Sequence, residues 1–255
     1  MKVFVIGTGN VSYSLVPALI EVGCEVAGVY GRNAEKAQQM GAKYGVAWYC
    51  EHDNIPNDAD IYIICTSDAA IAEVSLLLTP NMMVVHTSGT TDIDILSNRF
   101  AHCGVIYPVQ TFTKGIRVDF SKVPLLTEWS DDLAHNTITA LANMLSNDVR
   151  PATSLQRRYL HLGAVMACNF TNHLFTLAYN ILNSRGIDFA LLKPLVEATI
   201  AKAMTHNPAE CQTGPAARND TDTISKHLDM LADNPDVQTI YKLITQNIHN
   251  NIATK

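Results

Sequence analysis

Gly7 and Gly9 stand in the run Gly7-Thr8-Gly9-Asn10-Val11-Ser12, directly after an apolar stretch at 3–6 and before a helical pattern carried by Val16, Ala18, Leu19 and Ile20. Strand, glycine turn and helix in that order present bare N–H groups at a helix N-terminus. The helix dipole favours negative charge there, so the expected ligand is the pyrophosphate of a dinucleotide. Gly7, Thr8, Gly9, Asn10 and Val11 form the expected cradle. Ser12 replaces the third glycine of the fingerprint and is small enough to let helix and strand approach. After the next apolar run, 26–30, an NAD-specific chain places a carboxylate for the ribose hydroxyls, whereas this one reads Tyr30-Gly31-Arg32-Asn33. Arg32, with Asn33 beside it, is expected to meet a 2′-phosphate. Such a contact is worth ~1.5–3 kcal/mol, roughly 10- to 150-fold in favour of NADP over NAD. A solvated surface arginine is the alternative reading.

Ligands of open α/β sheets lie beyond the carboxyl ends of the strands. Thr66 and Ser67 follow one strand candidate, and His86 and Ser88 close another. Thr66, Ser67 and Ser88 are expected at the cofactor. His86 is expected either near the nicotinamide and an incoming carbonyl or as an imidazole satisfied by backbone. Gln110 and Thr111 follow a further strand and line the same cleft or a simple turn. In a long helical segment, Asn169, His173 and Thr176 share a face. An amide there orients a carbonyl and a histidine donates a proton, unless the two merely satisfy each other. His161 lies about 80° around from Asn169 at ~100° per residue. Arg218 is the expected grip on a substrate carboxylate, with Asp220 orienting Arg218 or His227, against a plain turn before a helix near Thr223. The histidines show no metal-binding spacing, and no metal is expected.

The elements that must position these residues alternate as strand and helix. Apolar runs at 3–6, 26–30, 47–49, 61–65 and 83–86 flank helical stretches at 34–43 and 71–78. Strands at 105–107 and 124–127, a helix at 131–145 and a strand at 148–151 follow. This predicts an α/β Rossmann domain, a doubly wound parallel sheet, over 1–152. From 153 to 255 only helical periodicity remains, with one helix from 155 to about 183 stopped by Gly186, and others at 189–204 and 236–252. Over 255 residues, 47% hydrophobic and 16% charged, such a chain is folded. Its net charge of −6 argues against nucleic acid. No apolar run spans a bilayer and no signal peptide opens the chain, so it is expected in the cytoplasm. Six scattered cysteines read as reduced, mostly buried thiols. The absence of a carboxylate near Arg32 also counts against an S-adenosylmethionine methyltransferase. No Tyr-x-x-x-Lys pair or phosphate-loop lysine is present.

The glycine loop, together with His86-Thr87-Ser88-Gly89, the run Tyr107 to Phe112, and Thr213-Gly214-Pro215-Ala216-Ala217-Arg218-Asn219-Asp220 followed by Thr223 and His227, carries a likeness. The whole chain resembles bacterial Rossmann-like NADP oxidoreductases with a helical C-terminal domain of unassigned function. Their fold is similar to that of pyrroline-5-carboxylate reductase, deazaflavin-dependent NADP reductases and 6-phosphogluconate dehydrogenase. Two positions depart: Tyr107 stands where the family usually has histidine, and Asn219 where it has glycine, although asparagine tolerates positive φ. The resemblance implies a 6-phosphogluconate-dehydrogenase-like second domain, a cytoplasmic homodimer with its cleft between the domains, and hydride transfer to imines, oxo acids or their relatives, ketopantoate among them. Hydroxy-acid dehydrogenases of this fold carry a lysine just before the helix asparagine; here 165–168 contain none. The expected function is NADP-dependent reduction of a small carbonyl or imine bearing a carboxylate. The missing lysine favours the competing reading, a non-catalytic NADP-binding or sensor protein.

Overall fold

The computed structural model describes residues 1–51 and 55–253; the last two residues of the expected second domain, 254 and 255, lie outside it. Strands β1 (Lys2–Ile6), β2 (Glu25–Tyr30), β3 (Trp48–Tyr49), β4 (Ile61–Ile64), β5 (Val84–His86), β6 (Cys103–Pro108), β7 (Leu125–Trp129) and β8 (Val149–Pro151) form one sheet in the order β3-β2-β1-β4-β5-β6-β7-β8. Helices α1 (Asn10–Glu21), α2 (Ala34–Tyr44), α3 (Ile71–Ser75), α4 (Asp94–Ser97) and α5 (Asp132–Leu145) connect them. Both faces of the central strands are buried, which is why these runs are continuously apolar. Val3, Val5, Ile63 and Val85 pack with Leu15 and Leu19 of α1 and Ile138 and Leu141 of α5. Phe4, Ile6, Tyr62 and Val84 pack with Ile71 and Val74 of α3, Leu96 of α4 and Phe100. Pro17 inside α1 has no N–H for the Tyr13 carbonyl, and the Tyr44 hydroxyl donates to that carbonyl instead, at 2.7 Å.

The sheet departs from the fully parallel expectation at one pair: β6 and β7 are antiparallel. The segment between them holds only a short 3₁₀ turn at Phe120–Lys122, so no crossover helix carries the chain back to the starting edge. It returns beside β6, with Val109 N–H donating to Pro124 O at 2.9 Å. The six cysteines are free; Cys24, Cys65 and Cys103 are buried, Cys168 is exposed, and the other two are half-buried, so the thiols are less uniformly buried than expected.

The chain divides into two compact units, Met1–Ala167 and Cys168–Lys255. Helix α6 (Ser154–Ala164) belongs to the first, beyond the boundary read at 152, because buried polar groups tie it to the sheet. Thr153 and Gln156 form a reciprocal cap at its start. Ser154 N–H and hydroxyl donate to the Glu128 carboxylate at 2.9 and 2.7 Å. Arg157, 1% exposed, donates to Glu128 and to the Thr91 carbonyl. The single long helix expected over 155–183 is interrupted: a π-helix (Val165–Phe170) separates α6 from α7 (Thr171–Asn183). After Gly186, at φ 68°, come a 3₁₀ turn, α8 (Lys193–Thr205), α9 (Thr221–Met230) and α10 (Pro235–Ala253).

Glu128→Ala leaves the Arg157 charge buried without its carboxylate and should cost about 3–5 kcal/mol in urea unfolding. Arg150→Ala, which breaks only the exposed pair with Asp148, should leave the urea midpoint almost unchanged. His86 is fully buried beside Arg157, and burial first, then the Arg157 charge, pushes its pKa down to about 4. The native imidazole is therefore neutral where the unfolded one, titrating near ~6.5, takes up a proton. The stability present above that value is lost as pH falls towards 4, about 3 kcal/mol in all. Comparing His86→Leu with the parent at pH 7 and pH 4 should show the variant gaining about 2–3 kcal/mol relative to it.

Candidate functional site

Gly7 has φ 120°, and a Cβ there would lie 2.4 Å from the Cys65 carbonyl oxygen, so only glycine can close the β1–α1 turn. Gly9 is different. Its φ is −85°, and a Cβ would come no nearer than 3.8 Å to the Cys65 carbonyl oxygen, so the protein itself does not demand glycine. What the missing side chain leaves is open space over the start of α1. No side chain caps that helix and no acidic residue lies in its first turn, so its N–H groups and positive dipole end face the opening unspent. The geometry fits a pyrophosphate.

The opening is a cleft of about 390 Å³ lined mainly by residues 7–11, 30–33 and 65–67 with Lys36. All residues expected around a dinucleotide lie on it except Ser88. Asn33 caps α2, its side chain accepting the Lys36 N–H at 2.9 Å, so a second helix N-terminus borders the same cleft. Arg32 pairs with Glu73 at 3.5 Å, but both side chains are about two-thirds exposed, and such a pair yields readily to a better-placed anion. Lys36 was missed in the sequence. Its signal was its spacing, four residues after Arg32 and three after the cap.

Ser88 departs from its expected place at the cofactor. It is buried, and its hydroxyl accepts the Thr90 and Thr91 N–H groups at 3.1 and 2.9 Å while donating to Thr91 Oγ1, which spends it inside its own loop. Thr90 in turn donates to Asp68, tying the loop after β5 to the turn after β4. The cleft lining does not include His86. The Nδ1 of His86 accepts the Ser88 N–H at 3.2 Å, while its buried Nε2 has no hydrogen-bond partner among the described residues, so backbone satisfies one side of the ring. Gln110 accepts the N–H of Thr111 at 2.8 Å in an exposed turn. Above the Ser88–Gly89 loop, the Tyr107 hydroxyl lies 3.2 Å from His161 Nδ1, a pair that sequence separation concealed.

In the second unit, Asn169 falls within the π-helix and His173 in α7; both are exposed, and neither side chain makes a hydrogen bond among the described residues. The wider turn of that stretch voids the reckoning at 100° per residue that separated His161 from Asn169 by 80°. Asn219 adopts φ 52°, the left-handed conformation asparagine tolerates. Arg218 is exposed, its nearest acid Asp220 at 3.9 Å. Asp220 Oδ2 stays within ion-pair distance of Arg218, while its carboxylate is bound more closely elsewhere. It caps α9, accepting the Thr223 N–H and hydroxyl at 3.1 and 2.9 Å, and these bonds hold its carboxyl below the usual range. His227 is occupied by the Tyr241 hydroxyl at 2.8 Å.

Residues 1–85 match the oxidoreductase family with an NAD-binding Rossmann fold, and residues 123–248 match a domain of unknown function, DUF2520. None of the curated proteins matches the chain. Among solved structures, BF3122 from Bacteroides fragilis, provisionally named an NADP oxidoreductase, is 36% identical over 98% of each chain, with a TM-score of 0.92. The 1-pyrroline-5-carboxylate reductase of Streptococcus pyogenes is 12% identical over 98% of each chain, with a TM-score of 0.65. An imine reductase from Myxococcus stipitatus, in complex with NADP+, is 16% identical over 100% of this chain and 93% of its own, with a TM-score of 0.63. These last two establish likeness of fold alone. With the glycine turn, the doubly wound sheet and the helical second unit all in place, the chain belongs to the Rossmann-fold, NAD(P)-dependent oxidoreductases whose C-terminal part is a DUF2520 domain.

Proposed function

We propose that the protein is a cytoplasmic, homodimeric NADPH-dependent reductase of a small carbonyl or imine compound that carries a carboxylate, such as a 2-oxo acid. The observation that carries this reading is the cleft over the uncapped start of α1, with Arg32, Lys36 and the capped start of α2 at its far side. A pyrophosphate takes the first helix end and a 2′-phosphate the second, where two cations oppose it. The provisional name of BF3122 and the NADP+ complex of the Myxococcus stipitatus imine reductase support the choice of cofactor. Bound there, the nicotinamide supplies a hydride. Arg218, exposed and paired only with Asp220 at 3.9 Å, is the proposed carboxylate grip, and Asn169 the proposed amide that orients the acceptor.

The homodimer rests on the second unit's surface. Leu191, Leu195 and Met204 are 73%, 63% and 76% exposed, and helices α7, α8 and α9 bury no side chain fully. Apolar surface on that scale marks an interface, here with a second copy. Light scattering should give twice the chain's 27.9 kDa, and Leu195→Asp should shift it towards a single chain.

Fluorescence titration tests the cofactor assignment. Arg32→Ala and Lys36→Ala should each weaken NADPH about 10-fold or more while changing NADH little; equal weakening of both would end the 2′-phosphate reading. Gly9→Val should abolish binding of either carrier with little loss of thermal stability. NADPH oxidation is then followed over a panel of 1-pyrroline-5-carboxylate, cyclic imines and 2-oxo acids including ketopantoate. Tight NADPH binding without turnover on any of them would replace the reductase by a cofactor-binding sensor.

A further inference from the structure

We propose that His161 is the proton donor of the reduction and that Tyr107 is the positioning residue that fixes its ring, an inference that rests on the reductase reading. Tyr107 is buried near the end of β6, and its hydroxyl lies 3.2 Å from Nδ1 of the half-buried His161, the rings meeting edge to face. In this assignment the phenol donates to Nδ1 of the neutral ring and Nε2 carries the hydrogen. Nε2 has no hydrogen-bond partner among the described residues. The pair rests directly on the loop after β5, where a Cβ on Gly89 would fall 2.7 Å from His161 Nδ1 and 2.9 Å from the Tyr107 ring. Strands β1, β4, β5 and β6 are consecutive neighbours, so this loop and the Gly7 turn lie at the same carboxyl end of the sheet, where such folds bind ligands.

The position of His161 is built rather than incidental. It lies four residues after Arg157 on α6, hence on the same face, and Arg157 is locked by Glu128 and the Thr91 carbonyl. The other candidates in this unit are excluded by their surroundings. His86 is sealed and neutral. Tyr107 spends its hydroxyl on His161, and burial pushes its pKa up, away from the phenolate that donation would leave. The charges acting on Tyr107 are Arg157 on α6 and Asp68 after β4; Arg157 is in turn paired with Glu128 on β7 and faces His86 on β5, which Asp68 and Asp92 also reach.

The proton balance is simple. As hydride reaches the carbon of a C=O or C=N bond, the π pair moves onto the oxygen or nitrogen and takes the Nε2 proton of the His161 imidazolium. The products are an alcohol or amine and a neutral imidazole whose Nδ1–H now donates to the Tyr107 oxygen. Solvent at the half-exposed ring restores the proton. The protonated form is the active one, so turnover falls with rising pH.

The test uses the full chain with Tyr107→Phe and His161→Asn. Nitrogen-15 NMR of the imidazoles should place the neutral His161 hydrogen on Nε2 in the parent, and Tyr107→Phe should redistribute it between both nitrogens; an unchanged tautomer overturns the positioning role. His161→Asn should leave NADPH affinity within about 3-fold but lower kcat about 100-fold or more on the panel compound reduced fastest. It should also erase the alkaline limb of the pH profile, whose midpoint in the parent should coincide with the His161 titration seen by NMR. Near-parental kcat in His161→Asn, with NADPH still bound and reduction still occurring, overturns the proton donor while leaving the reductase standing. A parent protein that binds no NADPH overturns the reductase and the donor together.

Discussion

At Gly7 the chain runs so close to the Cys65 carbonyl that no side chain can pass, and this contact fixes the direction in which α1 leaves β1. The Gly7 N–H donates to Tyr30 O at 2.8 Å and so ties the turn to the end of β2, while the Cys65 carbonyl belongs to the end of β4. The turn therefore sits at the point where strand order reverses, between β1 and its two neighbours, and the first turn of α1 must open over the crevice there. Everything that makes the cleft suitable for a phosphate is a consequence of that placement. The helix end is positive because it is uncapped, and it can remain uncapped only because it faces an opening rather than the core.

A second constraint acts at the other end of the sheet edge. Arg157 is nearly fully buried, and a buried guanidinium is tolerable only with its carboxylate in place. Sliding α6 by one turn along its axis would carry the charge away from Glu128 and leave both ions unpaired, so the pair selects one docking of the helix. The Thr91 carbonyl and the Ile93 N–H, which donates to Ser154 Oγ at 3.2 Å, bring the loop after β5 into the same arrangement. Helix, loop and the ends of β5 and β6 are thereby held as one body in which Gly89, Tyr107 and His161 touch.

What the sequence made legible was local. The apolar runs of β1 and β4, the glycine turn and the stop at Gly186 are each determined by a few adjacent residues, and each stands where spacing put it. What stayed hidden depends on pairs far apart in the chain. Arg157 reads as a solvated helix charge until Glu128, 29 residues earlier, is beside it. Tyr107 and His161 are 54 residues apart, and nothing in either neighbourhood announces the other. Ser88 was assigned outward by its position after a strand, whereas the two following N–H groups draw it inward as a turn-forming hydroxyl. The π stretch at 165–170 carries residues that an ordinary α-helix accommodates equally well, so composition gave no warning of it.

The second unit shows the opposite economy from the first. Where the sheet hides apolar residues on two faces, α8 leaves them uncovered on more than one side. Leu195 and Met204 are nine residues apart, about 900° of helical rotation, and so stand roughly half a turn from each other, yet both are highly exposed. A helix apolar on opposite faces belongs inside a core. A partner laid flat against one side would cover Leu195 or Met204 but not both. The proposed second copy must therefore contribute chain on both sides of α8, enclosing the helix rather than abutting it, and the folding of this part of the molecule is then coupled to association.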